Sequence, residues 1–360
     1  MAFGVQYCTR ESVKAALDEQ ETARSNAQID DAILSGARDV EGLCNRPEDA
    51  FAPTLATRYF DFPSQNSRPP SWRLRFGWHA LNSATAVTTD NGATTLTAGQ
   101  YFLEPVNDPP YTSIEINLGG SGSFSSSTTH QRAVAIAGLW TACRTIEQTS
   151  IGSLTAELGA TAGATATLAW TTARFGTGDV LLIDSERMVI RERTFVDSTQ
   201  NLQTSLTASD ASVTVAVTDG TAFAVEEIIL IDSERMRVVD IVGNNLTVKR
   251  AWDGSTLAAH TAPTADVYAL TGVQLDRAAL GTTIAAHASS STVYRWVPPP
   301  TVASLNRAYA LNTLLQERSG YARVAGTGEQ AREFTGRGIA ALEKDVLRLY
   351  GRKARTRAIV

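Results

Sequence analysis

Two pairs of carboxylates are the side chains in this sequence best placed to do chemistry. The hexapeptide IDSERM occurs twice, so Asp184 and Glu186 recur as Asp232 and Glu234. Carboxylates two positions apart in a hairpin point to the same side, which suits either calcium binding or acid–base catalysis. The flanking residues are apolar and add no further oxygen ligands. We therefore interpret each pair as part of a solvated hairpin turn.

Histidines are the next candidates for catalysis or metal binding. His260 and His287 end two similar segments, RAWDGSTLAAH and RAALGTTIAAH. Because they recur at equivalent positions, the same structural role in each copy is favoured over a role as ligand or base. His79 and His130 have no acidic or nucleophilic companion at a recognisable spacing.

The remaining nucleophiles do not form a known catalytic pattern. Ser185 and Ser233 lack a GxSxG context, and the chain has neither a P-loop nor a GxGxxG followed by a helix. Cys8, Cys44 and Cys143 are far apart and outside any CxxC pattern, which indicates reduced thiols rather than a zinc site or a disulfide framework. The sequence therefore predicts no catalytic site, no metal site and no cofactor, and we do not expect an enzyme.

Composition narrows the class of protein further. The chain has 360 residues, of which 43% are hydrophobic and 19% charged, as in ordinary globular proteins. Its net charge of −5 argues against a general nucleic-acid binder. There is no apolar run long enough to span a membrane and no signal-peptide pattern, so we expect a soluble protein made in the cytoplasm.

Hydrophobic spacing changes along the chain and indicates the elements that must position these residues. A short helix capped by Thr9 and a longer one ending before Pro47 are predicted first. Short β-prone runs follow between about 55 and 140. After Pro298 a third helix runs to about Ser319, and a fourth carries the last apolar stripe.

The middle of the chain contains a duplication. Besides IDSERM, the RAWDG and RAALG segments echo each other, but the closing element that matches the first IDSERM appears only after the second copy is complete. The economical interpretation is nesting. The first β module comprises 151–200 plus 271–297, and the second β module, 201–270, is inserted into it. Together they interrupt a core formed by 1–150 plus 298–360.

The pieces of this core resemble, in order and spacing, the head–tail connector (adaptor) family of tailed bacteriophages. The resemblance is carried by TRESVKAAL, AQIDDAILSGARDVEGLCNR, ATRYFDFP, TSIEINL, RAVAIAGLW, PPPTVASLNRAYALNTLLQER and EKDVLRLYGR. It covers roughly 1–140 and 298–353, and no single motif in it is diagnostic. The expected fold is α+β, with a helical adaptor core of about four helices plus a β-hairpin and strands, and a large all-β insertion.

What the resemblance implies is a mechanical role in the virion. Copies of the chain would form a ring, twelve-fold to match the portal protein, that extends the DNA channel without sequence-specific binding of DNA. The ring would present its lower face to a stopper or other tail-proximal ring. The β insertion would point towards capsid, neck or tail components, and no membrane is involved. Another neck or tail-completion protein, and an adhesin or carbohydrate-binding protein, are the alternatives.

The C-terminal segment is the one charge run with a functional interpretation. It pairs an apolar helical stripe with a basic end, and the residues expected to dock on the portal are Ile339, Leu342, Val346, Arg348, Leu349, Arg352, Lys353, Arg355 and Arg357. A solvated helix face followed by a disordered tail is the alternative. Docking on an acidic protein surface is favoured over binding to DNA, because each phosphate contact would hold DNA that must move through the channel.

Overall fold

The computed structural model describes residues 4–17, 26–62, 71–161, 165–170, 175–318, 324–325, 332–333 and 337–352. The described part of the chain is mostly β, with 37% of its residues in strands and 24% in helices. The predicted α+β class with a helical adaptor core is therefore wrong. The reason is that the strands between 54 and 140 enclose a hydrophobic core of their own instead of packing on a helical one.

Four helices are present among the described residues: α1 (Arg10–Leu17), α2 (Asn26–Leu43), α3 (Pro300–Arg318) and α4 (Arg337–Tyr350). The predicted cap of the first helix is present, since the backbone N–H of Ser12 donates to Thr9 Oγ1 at 3.2 Å. In the part of the chain that is described, no helix is long and apolar enough to cross a membrane.

By its internal contacts the chain divides into two compact units. The module-bearing unit comprises Met1–Ala37, Gln148–Val297 and Asn306–Thr335, and the two-sheet unit comprises Arg38–Glu147, Pro298–Leu305 and Gly336–Val360. The domain boundaries inferred from the sequence stay a prediction.

The two-sheet unit is built on two antiparallel sheets. Its strands are β1 (Thr54–Phe60), β2 (Arg73–Arg75), β3 (Leu81–Thr89), β4 (Thr94–Leu96), β5 (Tyr101–Glu104), β6 (Ser113–Ile116) and β7 (Val134–Trp140). One sheet has the order β1-β7-β3-β4 and the other β2-β6-β5. Buried side chains from both sheets, among them Ile114, Ile136 and Trp140, form one hydrophobic cluster. Alternation along β7, with every second residue buried, is what the period of a strand with one covered face requires.

The module-bearing unit contains a ten-stranded sheet. Its strands are β8 (Glu147–Leu154), β9 (Thr165–Trp170), β10 (Val180–Ile183), β11 (Glu186–Asn201), β12 (Thr214–Ala216), β13 (Ile228–Ile231), β14 (Glu234–Val242), β15 (Asn245–Lys249), β16 (Asp266–Asp276) and β17 (Thr292–Val297). Their order is β11-β10-β17-β8-β9-β16-β13-β14-β15-β12, and β11 also pairs with β16. That extra pairing closes six strands of the first module into a ring. Two further short strands are β18 (Val324–Ala325) and β19 (Arg332–Glu333).

The two modules follow one plan. In the first, β10 pairs with β11 and β11 with the end of β16; in the second, β13 pairs with β14 and β14 with β15. Both long pairs carry a bulge at the matching place, between Ile190 and Glu192 and between Val238 and Asp240. Each module also has its own core, because separate buried clusters lie in the two sets of strands.

The long strands β11 and β16 run from one module into the other. The last pair of the first module's hairpin is Thr194 with Gly272, and the pairing resumes at Val196 with Ala269. In the second module the turn at Gly243 joins the equivalent strands directly. The 271–297 segment pairs with 181–194 through β17 on β10 and β16 on β11, which is the pairing that a nested arrangement requires.

Candidate functional site

A buried carboxylate lies at the centre of a cluster in the first module. Glu186 has a fully buried side chain, and Arg277 donates to it twice, with Nε 2.7 Å from Oε1 and Nη2 2.6 Å from Oε2. The backbone N–H groups of Ala278 and Ala285 donate at 3.0 and 2.9 Å. Nε2 of His287 lies 3.0 Å from Oε2. Every acceptor site of this carboxylate is thus directed at a donor of its own chain.

Asp184, two positions before Glu186, completes the cluster on the side that faces solvent. Nδ1 of His287 lies 2.7 Å from Oδ2 of Asp184, whose side chain is 62% exposed while the ring is buried. The predicted solvated hairpin turn is therefore correct for Asp184 and wrong for Glu186. A buried carboxylate requires a paired cation and hydrogen bonds, and Arg277 supplies both from 91 residues away along the chain.

The second module repeats the cluster with nearly the same distances. Around the fully buried Glu234 lie the equivalent partners Arg250, Ala251, Ala258, His260 and Asp232. The two nitrogens of the His260 ring lie 2.7 Å from Oδ2 of Asp232 and 3.0 Å from Oε2 of Glu234, as in the first module. We name these sets the first clamp (Asp184, Glu186, Arg277, His287) and the second clamp (Asp232, Glu234, Arg250, His260).

Equivalent elements position each clamp. The hairpins β10–β11 and β13–β14 supply the acids, and the loops after β16 and β15 supply the arginine and histidine. A hydroxyl fixes each loop to its hairpin: Thr282 Oγ1 accepts from the N–H of Arg187 at 3.0 Å, and Ser255 Oγ accepts from the N–H of Arg235 at 2.9 Å. Left-handed backbone in both loops directs successive N–H groups at the carboxylate, a common arrangement for holding an anion.

The electrostatics of the clamps favour ionised glutamates. Burial by itself raises the pKa of Glu186, but hydrogen bonds from Arg277, from the backbone at Ala285 and Ala278, and from His287 outweigh it and lower the pKa to about 2. Burial also opposes ionisation of Glu234, and the equivalent donors lower its pKa to about 2. Each glutamate therefore carries a full charge that its arginine offsets.

This arrangement is suited to holding chain segments together rather than to turnover. A general base needs a free lone pair within reach of a substrate proton, whereas the oxygens of Glu186 and Glu234 already accept hydrogen bonds within the fold. Among the residues that the structure describes, no group of three or more histidine, cysteine or acidic side chains could hold a metal ion. The clamps join each hairpin to a loop distant in sequence.

Acid should weaken the fold through these two glutamates. Their folded-state pKa lies below the usual value of 4.5, so their contribution is fully present above about pH 4.5 and is lost as the pH falls towards 2. We expect the free energy of unfolding, measured by urea titration between pH 7 and pH 2.5, to fall more steeply for the unaltered chain than for either single variant, E186Q or E234Q. Parallel curves would contradict this account of the clamps.

The N-terminal helix binds a loop of the first module, which the sequence did not indicate. The backbone N–H of Arg10 donates to the carbonyl of Thr177 at 3.3 Å, and the N–H of Thr177 donates to Oε2 of Glu11 at 3.0 Å. The Arg10 guanidinium forms two hydrogen bonds with Glu192, at 2.7 and 3.2 Å. A Cβ at Gly176 would lie 1.8 Å from Glu11 Oε2, so any larger residue there would force this carboxylate to move. In the sequence, the two glycines of the FGTGD segment were the feature that could have indicated a close approach of another segment to this loop.

The three cysteines and His79 are buried or partly buried, whereas His130, Ser185 and Ser233 are exposed. Burial raises the pKa of the Cys8 thiol to about 12 and of the Cys44 and Cys143 thiols to about 11, which leaves them unreactive near neutral pH. His79 lies beside Arg58, and burial together with that guanidinium lowers the pKa of His79 to about 4.

The C-terminal helix carries most of the residues that the sequence singled out. Ile339 and Leu342 are half-buried, Val346 is fully buried, and Leu349 is 55% exposed. Arg348 is exposed and pairs with Asp345 at 2.9 Å, and Arg352 is exposed. Lys353, Arg355 and Arg357 lie outside the described residues. Docking on a portal stays a prediction, but Val346 already packs within its own chain.

Comparison with known protein families, with curated proteins and with solved structures finds no match to this chain.

Proposed function

We propose that the chain is a structural subunit of the head–tail junction of a tailed bacteriophage and acts as an adaptor, not as an enzyme. In this proposal, copies assemble as a ring beneath the portal and link the head to the stopper or another tail-proximal ring. The order and spacing of the segments quoted above support the placement. The mostly β fold does not affect this role, since it requires a rigid subunit with a partner-binding surface.

The observation that carries the proposal is the arrangement of α4. One end of this helix is fixed to its own unit: Arg46 donates to the carbonyl of Tyr350 at 3.2 Å, and the Tyr350 ring packs edge-on against Phe51 at 5.4 Å between centroids. Near that end Leu347 and Leu349 are exposed at 42% and 55%, on different sides of the helix because they lie two positions apart. A helix held rigidly with large apolar side chains exposed beside arginines is suited to binding an acidic protein surface.

The clamps support a structural role for the insertion. A β arm attached to a virion must keep its shape when it is pulled, and each clamp joins segments that are far apart in sequence. An adhesin or carbohydrate-binding protein would present a group of aromatic side chains to its ligand. In the described part of the modules, however, Phe175, Phe223 and Trp252 are buried, and Tyr294 at 40% is a single exposed ring. That observation disfavours the rival function.

Altering the exposed side chains at the end of α4 should weaken docking on the portal without unfolding the chain. We expect the variant L347S/R348Q/L349S/R352Q to bind purified portal rings at least about tenfold more weakly, since it loses both apolar area and charge. Surface plasmon resonance measures the affinity. Truncation after Gly336 should abolish docking, but it also removes Val346 and Tyr350, so the four-residue variant is the sharper test.

The charge contribution can be separated by salt. For the variant R348Q/R352Q alone, the loss of affinity should be largest at low ionic strength, because salt screens exposed charges. Unchanged affinity of the four-residue variant would show that portal binding lies elsewhere.

A further inference from the structure

The loop that binds the N-terminal helix α1 in the first module has an equivalent loop, here called the twin loop, in the second module. Residues 175–179 (FGTGD) precede β10, and 223–227 (FAVEE) occupy the same place before β13. Both loops make the same internal bonds: Gly176 N–H donates to Asp179 Oδ2 at 2.9 Å, and Ala224 N–H donates to Glu227 Oε2 at 2.9 Å. The backbone of the twin loop is thus built in the same way.

The two loops differ in what covers them. Thr177 is fully buried, and its N–H and carbonyl both bond to the start of α1. The equivalent Val225 is 43% exposed, and within the described part of the chain no hydrogen bond reaches its N–H or carbonyl. The neighbouring Val239 is 52% exposed. The surface of the second module that corresponds to the α1-binding site, here called the open seat (Val225, Val239 and Asp240), is therefore exposed.

The second module also keeps the equivalent of Glu192, one of the two acids that bind the arginine of α1 in the first module. Glu192, which holds Arg10, follows the bulge of β11, and Asp240 follows the equivalent bulge of β14. Asp240 is exposed, and among the described residues no salt bridge reaches it. Asp240, whose carboxylate accepts from the N–H of Ile241 at 2.9 Å, and the backbone of Val225 reproduce part of the arrangement that binds Arg10. The other acid that binds Arg10, Asp30 of α2 at 2.6 and 2.8 Å, lies outside the repeated modules.

One substitution determines what the open seat accepts. Ala224 stands where the first module has Gly176, and a Cβ at Gly176 would lie 1.8 Å from the Glu11 carboxylate. A segment with glutamate after its arginine would therefore have to turn that carboxylate away from Ala224, and a small or apolar residue there avoids the shift. This chain's own N-terminal helix has Glu11 after Arg10, so a second copy is a poor occupant.

We infer that Val225, Val239 and Asp240 form a docking site for a segment of a different protein, one that begins a helix with arginine followed by a small or apolar residue. The partner's first helical N–H would donate to the Val225 carbonyl, and its guanidinium would pair with Asp240. This inference uses no residue of α4, so a test of the portal contact neither supports nor contradicts it.

A peptide of this chain's residues 4–17, carrying the changes C8S and E11A, serves as the probe. Fluorescence anisotropy with the full chain should show binding, and the variant D240N should weaken it at least about tenfold through loss of the charged hydrogen bonds. The matched variant E192Q in the first module should leave it unchanged. A peptide with R10A as well should not bind.

The shape of the seat gives a second, opposite test. The peptide that keeps Glu11 should bind the unaltered chain weakly. It should bind more tightly to the variant A224G, which removes the Cβ that the Glu11 carboxylate would meet. Absence of binding by the E11A peptide, or binding that D240N leaves unchanged, would overturn the inference. If the Glu11 peptide bound the unaltered chain as well as the E11A peptide does, a second copy would become the better occupant.

Discussion

A chain in which residues 195–271 are replaced by the dipeptide Gly-Asn is expected to fold with its first module intact. Thr194 pairs with Gly272 at the end of the first hairpin, as Val242 pairs with Asn245 in the second module. The second module closes that pair with Gly243 and Asn244, and Gly243 adopts the left-handed φ of +59° that a tight turn needs. The same dipeptide should therefore close the first hairpin.

The shortened chain loses the bond from Arg193 to the Leu270 carbonyl and the salt bridge from Lys14 of α1 to Asp253. We expect this to cost about 1–3 kcal/mol, which the closed six-stranded ring should tolerate. Hydrogen exchange followed by mass spectrometry should still show protection in 180–194 and 292–297. A control with the same dipeptide in place of 201–276 removes the partner of β11 and should leave the module unprotected. Equal loss of protection in both chains would contradict the nested architecture.

Breaking either clamp should destabilise its module strongly. In E234Q the buried Arg250 loses its counter-charge, and in E186Q the same happens to Arg277. Removing one partner of a buried ion pair typically costs about 3–5 kcal/mol. Urea titration gives the size of the loss, and hydrogen exchange shows which module opens.

The location of the effect distinguishes the clamps from general destabilisation. E234Q should raise exchange in 228–249 and leave 180–190 largely protected, because the first module closes around its own core. The matched variant D232N alters a side chain that is 60% exposed and should cost less than about 1 kcal/mol. Similar losses for E234Q and D232N would show that the buried carboxylate has no special role.

The duplication and its pairing could be predicted from the sequence, because repetition is visible without knowledge of contacts. The segments RAWDG and RAALG resemble each other, and RAALG follows the complete second copy. That position indicated that the strands after 271 belong with the first copy. Burial of Glu186 could not be predicted from its own neighbours, since DSE has the composition of an exposed turn. The available signal was joint recurrence: the same acid, arginine and histidine appear in both copies.

The fold class was mispredicted for a related reason. Helical spacing at both ends of the chain predicted the positions of the helices correctly, since α1 through α4 match the predicted segments. The helical core inferred from them was wrong. Spacing does not show what a helix packs against. Glu11 and Arg10 bind the loop and strand of a β module, and the strands between 54 and 140 form a core without them.

The most direct test of the proposed adaptor role is the mass of the assembly formed with the portal of the same virion. The chain and purified portal rings, alone and mixed, can be measured by native mass spectrometry. We expect the free chain to be largely monomeric and the mixture to contain one complete ring of the chain on each portal. A stable dimer or tetramer that forms without portal, and that does not bind portal when it is added, would contradict the account.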